Sequence, residues 1–288
     1  MIGILAGVLS SAFGGMAAAV TRFAVPVSDP VTLSVFRFGV GFLLLAPIAL
    51  AARARLPAGR DWLPVAGLGV MFYGVFFVVY AEALVYTTAA RGALAVATLP
   101  VLTMIVAAAM GREPLTARKS LGVAVAMAGV FAALAAGAAD APAGAWRGDA
   151  MMIAAMLSMA LYNVLSRPLM ARSSALGYAT AGMAFGSAFN VIFAWVGGGL
   201  AGVARFGMAE WLAGLYLGIF AGGIGFYLWV FALQRATPTQ VANTITVAPI
   251  AAAALGAVLI GEPIGISLLV GIAAVGAGIW IASTAPMR

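Results

Sequence analysis

The sequence predicts an all-α membrane protein with ten transmembrane helices in two inverted five-helix repeats around a central cavity. Three observations lead to this fold class: few charged residues, ten long apolar runs, and a second half that repeats the first. Of the 288 residues, 65% are hydrophobic and only 8% are charged. A soluble domain carries roughly 25% charged residues, so a lipid bilayer is the solvent that fits this composition.

Ten apolar runs are long enough to cross a membrane, because one spanning helix needs about 20 apolar residues. The runs are continuously apolar, whereas the strands of a membrane barrel alternate apolar and polar residues over about ten positions. No basic segment precedes the first run, so we expect it to be retained as the first helix. The predicted helices 1 to 10 cover about 2–21, 31–52, 63–85, 89–110, 117–137, 149–170, 176–197, 211–234, 238–260 and 264–284.

The second half of the chain repeats the first at an offset of 149 residues. The repeat divides the chain into residues 1–138 and residues 148–286, and each part has five predicted helices. Many transporters are built from such duplicated membrane units, with a substrate site between the two copies near the bilayer midplane. The matched pairs include Trp62 with Trp211, Gly69 with Gly218, Phe77 with Phe226, Thr88 with Thr237, Pro100 with Pro249 and Glu113 with Glu262.

The basic residues predict that both termini are cytoplasmic. With the N-terminus inside, the inside segments carry ten Lys and Arg residues and the outside segments carry four. Cytoplasmic loops show this kind of excess. Because each half has an odd number of helices, the second half enters the membrane from the opposite side, which makes the repeat inverted. The basic residues are scattered in short loops and form no patch that predicts nucleic-acid binding.

The chain resembles the EamA-type exporters of the drug/metabolite transporter superfamily. The resemblance rests on a proline midway through the fourth helix of each half, on Glu113-Pro114 and Glu262-Pro263 after those helices, and on Arg37-Phe38 in predicted helix 2. It covers the whole chain and extends to the aromatic amino acid exporter branch. It implies a ten-helix basket around a central cavity, with helices 5 and 10 outside the cavity wall.

The same resemblance implies a function and a location. It implies a secondary transporter in the bacterial inner membrane that exports amino acids or similar small neutral or zwitterionic metabolites by alternating access. We expect its partners to be the small-molecule substrate and the lipid bilayer. We expect a monomer, or a weak homodimer through helices 5 and 10.

Aromatic residues on two symmetry-related helices predict one wall of the cavity. Tyr73, Phe77 and Tyr80 on helix 3 share a face because they are spaced i, i+4 and i+7. Phe226 and Trp229 occupy matching positions on helix 8. Aromatic walls suit an amphipathic or aromatic solute. The alternative is ordinary helix packing or lipid contact, where two hydroxyl groups in mid-span would be poorly placed.

Residues in four further helices are also candidates for the cavity wall. Predicted helix 9 contains the densest polar run of any span, and an amide near mid-membrane needs a partner. The alternative for these polar residues is an interhelical hydrogen bond of modest strength. The candidates are Phe13 in helix 1, Thr98 in helix 4, Tyr162 and Asn163 in helix 6, and Asn243 and Thr246 in helix 9.

Two prolines and three charged residues are candidates for hinges and gates. Pro100 and Pro249 each remove a helical hydrogen bond, which produces either a hinge or a static kink. Arg37 lies about 9 Å into helix 2, and Glu82 and Arg91 have a similar depth. We expect Glu82 to pair with Arg37 or Arg91 and to hold an outer gate. The alternatives are snorkelling to the interface, and a proton-coupling or substrate-carboxylate site.

Other function classes lack the residues that they need. The sequence contains no Cys and no His, which excludes thiolate nucleophiles, Ser-His-Asp triads and His-based metal sites. We expect no cofactor and no metal. An intramembrane enzyme is disfavoured because the spans hold no clustered carboxylates. A carrier of phosphorylated or nucleotide-linked metabolites is the closer alternative, but it needs several deep cations to clamp phosphate, and Arg37 is the only deep arginine.

Overall fold

The computed structural model describes residues 2–114, 116–136, 141–197 and 199–261, together with 264–266, 269, 270, 273 and 277. Within these residues the regular secondary structure is helical, with no β-strand. Seven of the helices are long and apolar enough to cross a membrane. The described part of the chain is therefore all-helical and has the helix lengths and composition of a multi-pass membrane protein. Most of predicted helix 10, with Glu262, lies outside the described residues.

We number the long helices of the described chain α1 to α9, and they follow the first nine predicted helices in order. The fourth is broken into two parts, Ala89–Val96 and Leu99–Ala109, and the fifth is Ala117–Ala136. The others are α1 Ile2–Ala24, α2 Pro30–Ala51, α3 Gly59–Tyr86, α6 Ala145–Leu165, α7 Ala175–Gly197, α8 Met208–Arg235 and α9 Pro238–Ile260.

Three helices near the centre contain π-helical segments. These segments are Phe36–Val40 in α2, Val70–Phe76 in α3 and Leu217–Ile224 in α8. A π-helical turn contains more residues than an α-helical turn, so it changes which side chains share a face, and such turns are frequent at functional sites. The segments in α3 and α8 end directly before Phe77 and shortly before Phe226.

Glycines bring the central helices into backbone contact. A Cβ atom on Gly15 of α1 would lie within 3 Å of the Ala248 backbone in α9. Gly222 of α8 packs against the backbone carbonyl of Arg37 in α2, and Gly186 of α7 packs against Tyr73. Small residues are common at helix contacts in membranes, where close packing replaces the hydrophobic effect as the driving force.

Polar residues at the start of α9 cap the N-terminus of the helix. Thr237 and Gln240 form a capping box: the Gln240 backbone N–H donates to Thr237 Oγ1 at 3.2 Å, and the Thr237 N–H donates to Gln240 Oε1 at 3.0 Å. Such a box satisfies two backbone donors that have no partner within the helix. The Thr239 hydroxyl donates to Glu113 Oε2 at 2.8 Å and joins α9 to the segment after α4.

Candidate functional site

A cavity lies between helices from both halves of the chain. In this structure the cavity is narrow, with a volume of about 50 Å³. Its wall combines α1, α2, α3 and α4 from the first half with α6, α8 and α9 from the second. The side chains are apolar except for those of Arg37 and Tyr80. Besides the residues discussed below, the wall includes Gly14, Gly15, Ala18, Phe76, Met156 and Met159.

Three of the predicted aromatic residues lie on the cavity wall. Phe77 and Tyr80 come from α3 and Phe226 comes from α8. The ring centroids of Phe77 and Phe226 are 5.3 Å apart and the rings are nearly perpendicular, at 83°. Edge-to-face contacts of this kind are favourable. The two related helices therefore meet through aromatic rings at the cavity.

The other predicted aromatic residues lie behind the wall. The Tyr73 hydroxyl is 3.2 Å from the Tyr162 hydroxyl, and both side chains are buried. Trp229 Nε1 donates to Asn163 Oδ1 at 3.0 Å. These bonds join α6 to α3 and to α8. The i, i+4 rule that grouped Tyr73 with Phe77 assumes 3.6 residues per turn. Tyr73 lies in the π-helical segment of α3, which has more residues per turn, so the rule does not strictly apply there.

The polar candidates in α4 and α9 do not lie on the described cavity wall. The Thr98 and Thr246 hydroxyls donate to carbonyls three residues earlier in their own chain segments, at 2.8 Å and 2.9 Å; for Thr246 the acceptor is Asn243. Threonine hydroxyls often bond locally in this way. At the cavity α9 presents Ile245 and Ala248 instead.

The predicted residue in α1, Phe13, lies next to the wall. Its ring centroid is 5.8 Å from that of Phe220 in α8, and its carbonyl accepts a hydrogen bond from the Tyr216 hydroxyl at 3.3 Å. The following residues, Gly14 and Gly15, form the wall itself. Phe13 thus fixes α1 against α8 at the level of the cavity.

The fourth and ninth helices change geometry just before their prolines. The fourth helix is interrupted at residues 97–98, and α9 contains a 3₁₀ turn over Thr244–Thr246. Pro100 and Pro249 follow these irregular segments. Because proline has no N–H, it cannot bond the carbonyl four residues earlier, which belongs to Val96 and to Ile245. Both of these residues line the cavity.

Arg37 borders the cavity and is surrounded by aromatic rings. Its side chain is almost completely buried, with an exposed fraction of 5% for the residue. The guanidinium carbon lies 4.4 Å from the ring centroid of Phe77, 5.7 Å from that of Phe226, and 5.9 Å from those of Phe38 and Tyr80. Ring faces attract cations at these distances.

The predicted ion pair of Glu82 with Arg37 or Arg91 is not present within the described residues. Arg91 pairs instead with Asp149 at the start of α6, and the Thr87 hydroxyl donates to the same carboxylate at 3.0 Å. The prediction considered partners in the first half of the chain, whereas the fold brings the start of α6 against the start of the fourth helix. The pair therefore joins the two halves.

The Arg91–Asp149 pair is expected to contribute more stability than a second pair, Arg172–Asp61. The two aspartate side chains are equally buried, at 11% exposure, but Arg91 is 14% exposed and Arg172 is 56% exposed. Exposed pairs contribute about 0–1 kcal/mol, and removal of one partner from a buried pair costs several times more. Asp149→Asn should therefore lower the thermal midpoint of the purified protein more than Asp61→Asn. Equal shifts would contradict this ranking.

Comparisons with known proteins identify the family. A model of the EamA-like transporter family matches residues 1–135 and again residues 146–284. The chain is 28% identical over 231 residues to a probable terminal-alkyne amino-acid exporter of Streptantibioticus cattleyicolor, covering 80% of this chain and 76% of that protein. It is 29% identical over 199 residues to the uncharacterized transporter YetK of Bacillus subtilis, covering 68% of this chain and 60% of YetK.

A solved crystal structure has the same fold. It superposes with a TM-score of 0.72 and covers 98% of this chain and 95% of its own, at 20% sequence identity. At this identity the likeness concerns the fold alone. The family model, in contrast, matches both halves of the chain. The protein therefore belongs to the EamA-like transporter family.

Proposed function

We propose that the protein is a secondary exporter of amino acids or similar small neutral or zwitterionic amphipathic metabolites, and that it works by alternating access in the bacterial inner membrane. The observation that carries this proposal is the position of the cavity, whose wall combines helices from both halves. Rocking of one repeat against the other would open a site in this position to each side in turn. The relative named as an amino-acid exporter supports the same substrate class.

The proposed architecture is ten transmembrane helices in two inverted repeats, residues 1–138 and 148–286, with both termini cytoplasmic. The nine helices of the described chain supply the first nine spans, and the apolar run at about 264–284 supplies the tenth. The fifth helix contributes no residue to the described cavity wall. We therefore assign helices 5 and 10 to the periphery, where they would support a weak homodimer if the protein is not a monomer.

We propose that the two proline-containing helices and the contact between the halves change conformation during transport. Pro100 and Pro249 occupy symmetry-related positions beside irregular helical turns, which suits a pair of hinges. The Arg91–Asp149 pair joins the first half to the second at one end of the molecule. A gate at this end would have to break that pair each time it opened.

The proposal is tested by transport in reconstituted liposomes. Purified protein is incorporated into liposomes, and the uptake of radiolabelled aromatic and aliphatic amino acids is measured with and without a proton gradient. We expect saturable uptake of at least one amino acid above the level of protein-free liposomes. If correctly folded protein, checked by size exclusion before reconstitution, moves phosphorylated metabolites and no amino acid, the proposal is wrong and the phosphate-carrier alternative is favoured.

A further inference from the structure

We propose that Arg37 binds the carboxylate of the transported solute, and that the cavity recognises this carboxylate rather than an amino group. This inference rests on the proposed function and names the chemical feature by which the substrate class is selected. It predicts that an apolar or aromatic carboxylate without an amine is still a ligand.

The first argument is the environment of the guanidinium. Arg37 borders the cavity, and its Nε atom is buried without a hydrogen-bond partner among the described residues. No ion pair of Arg37 is present in that part of the chain either. Its close neighbours are the faces of aromatic rings, with Phe77 nearest at 4.4 Å. These faces make a buried cation tolerable, but they do not occupy its N–H donors.

The second argument is the distribution of acidic residues. Within the described residues, no Asp or Glu lines the cavity. Asp149 and Asp61 pair with arginines far along the chain, and Glu113 accepts a hydrogen bond from Thr239. An ammonium group in the cavity would therefore have no carboxylate to pair with. A carboxylate would have Arg37, whose planar fork of donors matches it in geometry and charge.

The third argument is the rest of the wall. Beside Arg37 the cavity presents the rings of Phe77 and Phe226 and the thioethers of Met156 and Met159. Such surfaces bind an apolar or aromatic body. A single fixed cation among apolar groups selects a ligand with one anionic end and one apolar end, which describes an aromatic or branched-chain carboxylate.

The test compares three probes that differ in one charged group each. Phenylalanine carries both groups, 3-phenylpropionate lacks the amine, and phenylalaninamide lacks the carboxylate. Binding is measured as the ligand-induced rise in the thermal midpoint of the purified full-length protein. We expect 3-phenylpropionate to bind within a few-fold of phenylalanine. We expect phenylalaninamide to bind at least about tenfold more weakly, as the loss of one charge-assisted hydrogen bond implies.

Two variants connect this preference to Arg37. Arg37→Lys keeps the charge but removes the planar fork, and Arg37→Gln removes the charge. Both should reduce the preference for phenylalanine over phenylalaninamide, Arg37→Gln more strongly. Arg147→Lys is the matched control, because Arg147 also lies over a ring, that of Trp146 at 5.6 Å, but is exposed and does not border the cavity. It should keep the preference of the parent.

The outcomes separate this inference from the proposed function. Equal binding of phenylalanine and phenylalaninamide by the parent protein would overturn the inference, even if transport of amino acids is observed. An unchanged preference in a folded Arg37→Gln variant would also overturn it. Carboxylate-dependent binding without any amino-acid transport would support the inference and contradict the proposed function. If neither variant folds, the preference of the parent protein decides.

Discussion

Gly14→Leu is expected to reduce transport to the level of protein-free liposomes without unfolding the protein. Gly14 borders the cavity, and a Cβ atom at this position would meet no other atom within 4 Å. The first carbon of a leucine side chain therefore has room, and the rest of the side chain would extend into the space of the solute. The measurements are amino-acid uptake in liposomes and the thermal midpoint in detergent. A folded variant with parental uptake would show that the solute does not use this cavity.

Gly15→Ala is expected to destabilise the fold and to lower the free energy of unfolding by about 1–3 kcal/mol, the usual cost of overpacking. The added methyl group would lie within 3 Å of the Ala248 backbone, so α1 and α9 would have to move apart. Thermal denaturation, followed by size exclusion, measures this effect.

Gly14→Ala is the control for this comparison. It lies next to Gly15 in the same helix, so both substitutions gain the same helix propensity, up to about 1 kcal/mol. The difference between the two variants then reports the α1–α9 contact alone. Equal thermal midpoints would mean that α1 and α9 are not in backbone contact at Gly15.

The positions of the nine described helices follow closely from the sequence because they depend on local composition. In a bilayer each spanning segment must satisfy its own backbone hydrogen bonds. A long apolar run in the sequence therefore predicts a helix. The two prolines also predict where the helices are irregular, at 97–98 and 244–246. Proline has no N–H, so it disrupts the helical hydrogen bonds within one turn of its own position.

The lining of the cavity is less predictable, for two physical reasons. Phe77 and Tyr80 reach the wall, whereas Tyr73 lies inside the π-helical segment of α3 and its hydroxyl contacts that of Tyr162 instead. Met156 and Met159 carry no chemical signal that distinguishes a cavity wall from a lipid contact. An apolar residue acquires its role here only when the helices are packed.

The charged contacts between the halves are the least predictable feature. Arg91 has Glu82 close by in sequence, and that proximity led to the prediction of a Glu82 pair. In the described structure Arg91 pairs with Asp149, which is 58 residues away in the other half of the chain. The periodicity of the sequence indicates which face of a helix is polar. It does not indicate which face of another helix that polar face contacts.

The central claim, a solute site reached in turn from both sides of the membrane, is tested most directly with a single cysteine. The chain contains no cysteine, so Met159→Cys places the only thiol on the cavity wall, and Arg147→Cys places one on an exposed helix end. Each variant is treated with a membrane-impermeant thiol reagent in right-side-out and inside-out vesicles. We expect Met159→Cys to react from both sides and the transported amino acid to slow both reactions, whereas Arg147→Cys reacts from one side and is not protected. Reaction of Met159→Cys from one side only, or without protection by the solute, would contradict alternating access through this cavity.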